Sequence, residues 1–244
     1  MNFAKGALTL AFALCCGFGL GGKLAQASES VTLTTPRGAT VSAIVDVPRG
    51  KGPFPAVVLG PGTGSRQQKI NDVVAAELLH QGIAVYRFDW AYYTHDAKAT
   101  PSDSDRSPEI EDFRSVVALA RHDPRIDTNR IAVGGKSRGT VIAWQVLRDD
   151  PALVGILELT PVCTKAGFTA EQLYPDLAQE KRPSLWLTGD HDPACKVPVL
   201  YNFLAGAGGP ARVAILRGDH GLADDPTPQL AANLSADFLL SIKP

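Results

Sequence analysis

The sequence predicts a three-layer α/β fold, a mostly parallel sheet of about eight strands with helices on both faces. Two observations predict it. Six short, nearly uninterrupted apolar runs are interleaved with segments of helical periodicity, the pattern of strands buried on both faces and joined by crossover helices. Ahead of them, two alternating runs are split by Pro36-Arg37-Gly38, which reads as an antiparallel hairpin at the sheet edge. Composition agrees with a globular protein: 244 residues, 45% hydrophobic and 20% charged. With 24 Lys+Arg against 25 Asp+Glu, the chain lacks the basic footprint of a general nucleic-acid binder. Four Cys are too few for a disulfide scaffold or a pair of zinc knuckles.

The first 27 residues stand apart. Lys5 precedes an apolar run over 7–20, and Ala25-Gln26-Ala27 follows. That order is a charged region, an apolar region and a small-x-small cleavage site, so residues 1–27 are expected to be a secretory signal peptide. The run is broken by glycines and falls short of the roughly 20 strongly apolar residues of a spanning helix, so no stable membrane insertion is expected after cleavage. Cys15 and Cys16 lie in poor lipobox contexts. Cleavage removes Lys5 and Lys23 and no acid, leaving 22 basic against 25 acidic side chains in residues 28–244. That remainder reads as one domain of a secreted or periplasmic protein, its oligomeric state unspecified.

The elements follow in order. The hairpin runs are 31–34 and 40–45, and the interleaved strands are 56–59, 83–88, 131–135, 154–159, 184–187 and 212–216. Helical spacing marks 71–80, 109–121, 139–147, 197–204 and 229–242. The stretch 91–107 is the longest loop, and it leaves the C-terminal end of a strand, where α/β folds place their ligands.

The chemistry lies in the turns. Gly135-Lys136-Ser137-Arg138-Gly139 is G-x-S-x-G between a predicted strand and a predicted helix. Small residues two before and two after the serine let strand and helix approach, so its Oγ stands clear of the sheet. Such a nucleophile calls for an acid after a later strand and a His after the last one. Gly189-Asp190-His191-Asp192 and Gly218-Asp219-His220-Gly221 stand at those places. His220 is the expected general base. Asp190 and Asp192 compete for the acid; Asp192 is favoured, because the usual acid lies three residues past the strand-ending glycine, and Asp190 then caps the turn. Metal binding by 190–192 is disfavoured, since three adjacent residues cannot readily converge on one ion. Leu59-Gly60-Pro61-Gly62-Thr63-Gly64-Ser65 follows the first central strand. It lacks the Lys-Ser/Thr ending of a phosphate loop, and backbone N–H groups of Thr63 and Arg138 are the expected oxyanion donors.

With these residues in place, the chain resembles the α/β-hydrolase superfamily and looks like its small dienelactone-hydrolase-like branch, over roughly residues 30–242. Pro61-Gly62-Thr63-Gly64 resembles the oxyanion turn, with Pro61 where the family usually has His, and Ser137 stands where dienelactone hydrolases proper have Cys. The resemblance implies a serine hydrolase of the carboxylesterase type, with catalytic Ser137, Asp192 and His220. It also implies a small acyl substrate and no metal or organic cofactor. A peptidase or acyltransferase using the same triad, or a catalytically silent binding protein, is the alternative. Only about twenty residues, 162–182, occupy the place of a lipase lid, so no large lid is expected. Trp90, Tyr92 and Tyr93 either wall the substrate pocket or pack beneath the long loop. Arg66, Lys69, Lys136 and Arg138 either attract an anionic substrate or pair internally, Lys136 with Asp89 or Glu158. Cys163 and Cys195 follow two successive strands at the catalytic end and are candidates for a disulfide.

Overall fold

The computed structural model describes residues 28–94, 105–165 and 167–243. The expected signal peptide, and the central part of the 91–107 loop with His95, lie outside them. Eight strands form one sheet: β1 (Glu29–Thr34), β2 (Thr40–Asp46), β3 (Phe54–Gly60), β4 (Ala84–Asp89), β5 (Ile126–Ser137), β6 (Ile156–Pro161), β7 (Ser184–Gly189) and β8 (Ala211–Leu216). Their order is β1-β2-β4-β3-β5-β6-β7-β8. The hairpin pairs antiparallel with the edge through β2 and β4, and every later pair is parallel.

The apolar runs are explained by two cores. Val57 and Leu59 of β3 face one side, with α1 (Lys69–His80) and α6 (Thr227–Ser241) laid over them through Val74, Leu78, Ala232 and Phe238. Ala56 and Val58 face the other side, under α2 (Ser107–His122), α3 (Arg138–Asp149) and α5 (Val197–Leu204). Successive strand residues point to opposite faces. A strand covered on both faces therefore needs an apolar side chain at nearly every position.

Two elements depart from expectation. Strand β5 begins five residues early, at Ile126, because Phe54 on β3 pairs with Ile126 before the register shifts at Ala56. Its start, Asp127-Thr128-Asn129-Arg130, is too polar to read as a buried strand. A one-turn helix, α4 (Ala170–Leu173), interrupts the expected lidless connection. Its signal was legible, since Thr169 and Gln172 form a reciprocal capping box. At four residues it is no large lid. Among the described residues, no helix is long and apolar enough to cross a membrane.

Candidate active site

All the chemistry-bearing turns leave the C-terminal ends of parallel strands, and close backbone packing brings them together. Ser137 ends β5 and takes φ 53° and ψ −121°, in the left-handed half of the map that an L residue occupies only under constraint. The constraint is visible around it. A Cβ on Gly135 would lie 2.2 Å from the backbone of Gly139, and a Cβ on Gly139 would lie 2.5 Å from the carbonyl oxygen of Pro61. The two glycines of the elbow therefore let α3 fold back on β5 and let the 61–64 turn rest on α3. The turn after β7 meets the turn after β8 in the same way: a Cβ on Gly189 would sit 2.2 Å from the Gly218 carbonyl oxygen.

Side chains complete the connection. His220 Nε2 lies 2.8 Å from Ser137 Oγ, and His220 Nδ1 lies 2.9 Å from both carboxylate oxygens of Asp192. An ionised carboxylate only accepts hydrogen bonds, so Asp192 draws the ring proton to Nδ1 and leaves Nε2 to accept from the serine hydroxyl. The Asp192 side chain has no solvent exposure, against 29% for His220. Burial alone would push the Asp192 carboxyl up; His220, the Ala194 N–H at 2.8 Å and Thr188 Oγ1 at 3.2 Å outweigh it and hold the group below the usual carboxylate range. Asp190 has a different task. Its Oδ1 accepts from the Gly218 N–H and contacts His191 Nδ1, both at 2.8 Å, which ties the two turns together at the surface. Asp219 faces away and accepts from the Gly221 N–H within its own turn.

Residues 54–231 match the family described as "Alpha/beta hydrolase domain". The chain belongs to that family. Its fold is similar to that of an esterase of Pyrococcus furiosus, at a TM-score of 0.73 and 18% identity over 91% of this chain and 94% of the esterase. In sequence it is 26% identical over 160 residues to the thiohydrolase apmlB of Arthrinium phaeospermum, covering 64% of this chain and 52% of that protein. It is also 26% identical over 108 residues to the quorum-quenching protein AidA of Acinetobacter baumannii, covering 44% and 35%. The chain thus spans about a third to a half of these two relatives.

Within this α/β hydrolase, the aromatic trio does not line the cavity beside Ser137. Trp90 is fully buried and donates its indole N–H to the Gly62 carbonyl at 2.7 Å, while Tyr92 Oη donates to the Thr63 carbonyl at 3.4 Å. Both brace the 61–64 turn from behind, turning its carbonyls away; Tyr93 is 46% exposed. The cavity, about 200 Å³, instead is lined by the apolar Val141, Val162 and Leu173 together with Thr63, Ser137 and Arg138. Arg106 and Lys165 line it as well. Sequence patterning passed over these five wall residues, because they come from four separate segments and share no local motif.

The basic residues near the motifs are largely paired within the chain. Arg66 meets Asp89, Lys69 Nζ lies 3.0 Å from Asp225 Oδ1, and Arg138 forks onto buried Glu109 at 2.5 and 2.9 Å. The expected pairing of Lys136 is corrected. Among the described residues it forms no ion pair with Asp89, which Arg66 occupies, or with Glu158, whose two oxygens are buried without a hydrogen-bond partner. Lys136 is 6% exposed, and burial pushes its ammonium down while the charges of Asp192 and Asp219 oppose the shift. The misassignment has a geometric cause: Lys136 and Glu158 are near in register on neighbouring strands, but adjacent positions on a strand face opposite sides of the sheet.

Cys163 and Cys195 form a disulfide, with Cα atoms 4.6 Å apart. No group of three or more potential metal ligands is present among the described residues.

Proposed function

We propose that this chain is an exported serine hydrolase that cleaves an ester-like bond of a small substrate through an acyl-enzyme. The observation that carries the proposal is the unbroken hydrogen-bonded chain Asp192–His220–Ser137, ending at a strained serine beside a small cavity. Ser137 Oγ attacks the acyl carbon as His220 Nε2 takes its proton. Asp192, held ionised, keeps the imidazole in the productive tautomer and stabilises the imidazolium. The backbone N–H groups of Thr63 and Arg138 receive the developing oxyanion, Arg138 lying at the positive N-terminal end of α3. His220 then protonates the leaving alkoxide. A water deprotonated by His220 attacks the acyl-enzyme, releasing the acid and restoring Ser137.

Export is supported by the charged, apolar and small-residue order of residues 1–27 together with the Cys163–Cys195 disulfide, a bond that persists in oxidising compartments. The cavity's size favours short acyl groups. The test is labelling by a fluorophosphonate probe beside a Ser137→Ala control. Stoichiometric labelling of the wild type and none of the variant is expected. An unlabelled wild type overturns the reading in favour of a silent binding protein.

A further inference from the structure

We propose that Tyr174 is a positioning residue that sets the acyl-size preference of the cavity beside Ser137, its hydroxyl holding the apolar wall and the backbone of the serine in one arrangement. The proposal rests on the serine-hydrolase reading and adds a specificity-determining residue to that site.

Three hydrogen bonds carry it. The Val162 N–H donates to Tyr174 Oη at 3.2 Å, Tyr174 Oη lies 2.9 Å from Thr140 Oγ1, and the Thr140 hydroxyl donates to the Ser137 carbonyl. Their directions follow from the chemistry of the groups. A carbonyl oxygen only accepts, so the Thr140 proton is committed to Ser137 and the Tyr174 proton to Thr140 Oγ1. The chain of bonds therefore runs one way, Val162 to Tyr174 to Thr140 to Ser137, each polarising the next. It ends on the residue held at φ 53°. Among the described residues, the apolar lining of the cavity is Val141, Val162 and Leu173. Val162 is the first member of the chain of bonds, Val141 follows Thr140, and Leu173 precedes Tyr174. One buried hydroxyl thus ties together the three segments that supply that lining.

The ring would be held without the hydroxyl. Tyr174 closes α4, and its ring packs among Trp144, Trp186 and Phe203 at centroid distances of 6.0, 5.1 and 5.4 Å. The Trp144 indole N–H donates to the Pro175 carbonyl at 2.8 Å, a second tie between α3 and this segment. A phenylalanine would fill the same aromatic cluster and avoid burying a polar group, which costs free energy unless it is paired. What the hydroxyl adds is its pairing with Val162 on the wall and with Thr140 behind the serine. Ring and hydroxyl can therefore be separated by substitution: Tyr174→Phe keeps the packing and removes the central link.

The test compares 4-nitrophenyl butanoate with 4-nitrophenyl octanoate, both rates referred to active sites titrated with a fluorophosphonate. The wild-type ratio of kcat/KM values is expected to favour the butanoate. Tyr174→Phe is expected to lower that ratio about fivefold, the weight of one buried hydrogen bond. A ratio of two substrates does not change with the fraction of folded protein, so mere destabilisation leaves it in place. Thr140→Val is expected to act alike, the double substitution no further than either alone, and Thr140→Ser to restore the wild-type ratio. A wild-type ratio of one or less, or an unchanged ratio in Tyr174→Phe, overturns the proposal; should Tyr174→Phe not fold, Thr140→Val decides. Amide hydrogen exchange at Val162 reads the tie without turnover and is expected to quicken in Tyr174→Phe; unaltered exchange overturns it. A wild type that the fluorophosphonate does not label overturns the serine-hydrolase reading and with it the size preference, whereas exchange at Val162 then still decides the tie.

Discussion

The Cys163 N–H donates to the Ala194 carbonyl at 2.9 Å, and that hydrogen bond joins the cavity wall to the turn that holds Asp192, the proposed triad acid. Ala194 donates its own N–H to Asp192 Oδ1, while its carbonyl also accepts from the Thr164 N–H and the Thr164 hydroxyl, each at 3.0 Å. The Cys163–Cys195 disulfide closes the same junction one residue further on, across a separation of 32 residues. Val162 and Lys165, on either side of this knot, line the cavity. The turn bearing Asp192 and the cavity wall are thus tied together by hydrogen bonds and a covalent bond.

Reduction of the disulfide is therefore expected to lower kcat several-fold and raise KM in the same protein. It should also lower stability by about 3–4 kcal/mol, the loop-entropy term for a loop of this size. Steady-state kinetics and thermal melts with and without reductant, and with Cys163→Ser/Cys195→Ser, measure both. A stability loss with unchanged kinetics would assign the bond a purely structural role.

Substitution separates the two carboxylates of the acid turn. Asp192→Asn replaces one acceptor oxygen with a donor amide facing His220 Nδ1 and favours the wrong tautomer; kcat is expected to fall by about 10³–10⁴. Asp190→Asn keeps an oxygen for the Gly218 N–H and should cost less than tenfold. Measuring kcat/KM for both variants on one ester decides, and a larger loss at Asp190 would reverse the assignment.

The sequence made the fold and the constellation of turns legible for a common reason: both depend on local patterns. Unbroken apolar runs follow from burial on both faces, and the glycines around Ser137 and before Asp190 mark places where backbones touch. What it concealed depends on contacts between distant segments. Lys136 and Glu158 looked complementary at neighbouring strand ends, yet side-chain alternation parts them. Trp90 could be read either as a pocket wall or as packing beneath the long loop, and only the contact of its indole N–H with the Gly62 carbonyl decides between them. Arg106 and Lys165 carried no signal, because they reach the cavity from separate segments that share no local motif.

Gly139 offers a steric test of the elbow. A methyl group there would press on the carbonyl oxygens of Pro61 at 2.5 Å and Gly60 at 2.6 Å. Backbone atoms cannot rotate aside as a side chain can, so the 61–64 turn must shift away from Ser137. Gly139→Ala is expected to destabilise by about 1–3 kcal/mol, the usual cost of overpacking. It should also lower kcat at least 100-fold through a misplaced Thr63 N–H. Fluorophosphonate labelling rates and a denaturant melt report the two effects separately; a fully active variant would mean that the turn is not held by this contact.

Glu158 gives a pH prediction of definite sign. It lies on β6, fully buried, with neither carboxyl oxygen hydrogen-bonded, and burial raises its pKa well above the ordinary value. Its proton is thus held more tightly in the folded chain than in the unfolded one. Stability from this group is fully present below the unfolded pKa of about 4.3 and is lost as the pH rises toward the folded pKa, by up to about 1.4 kcal/mol per pH unit. Glu158→Gln retains the shape of the neutral acid and removes the titration. Its Tm is expected to match the wild type near pH 4 and to exceed it increasingly toward pH 7. Thermal melts of both proteins across that range isolate the effect, because all other titrating groups are common to the pair. A constant difference in Tm would show that Glu158 binds no more protons in the folded state than in the unfolded one.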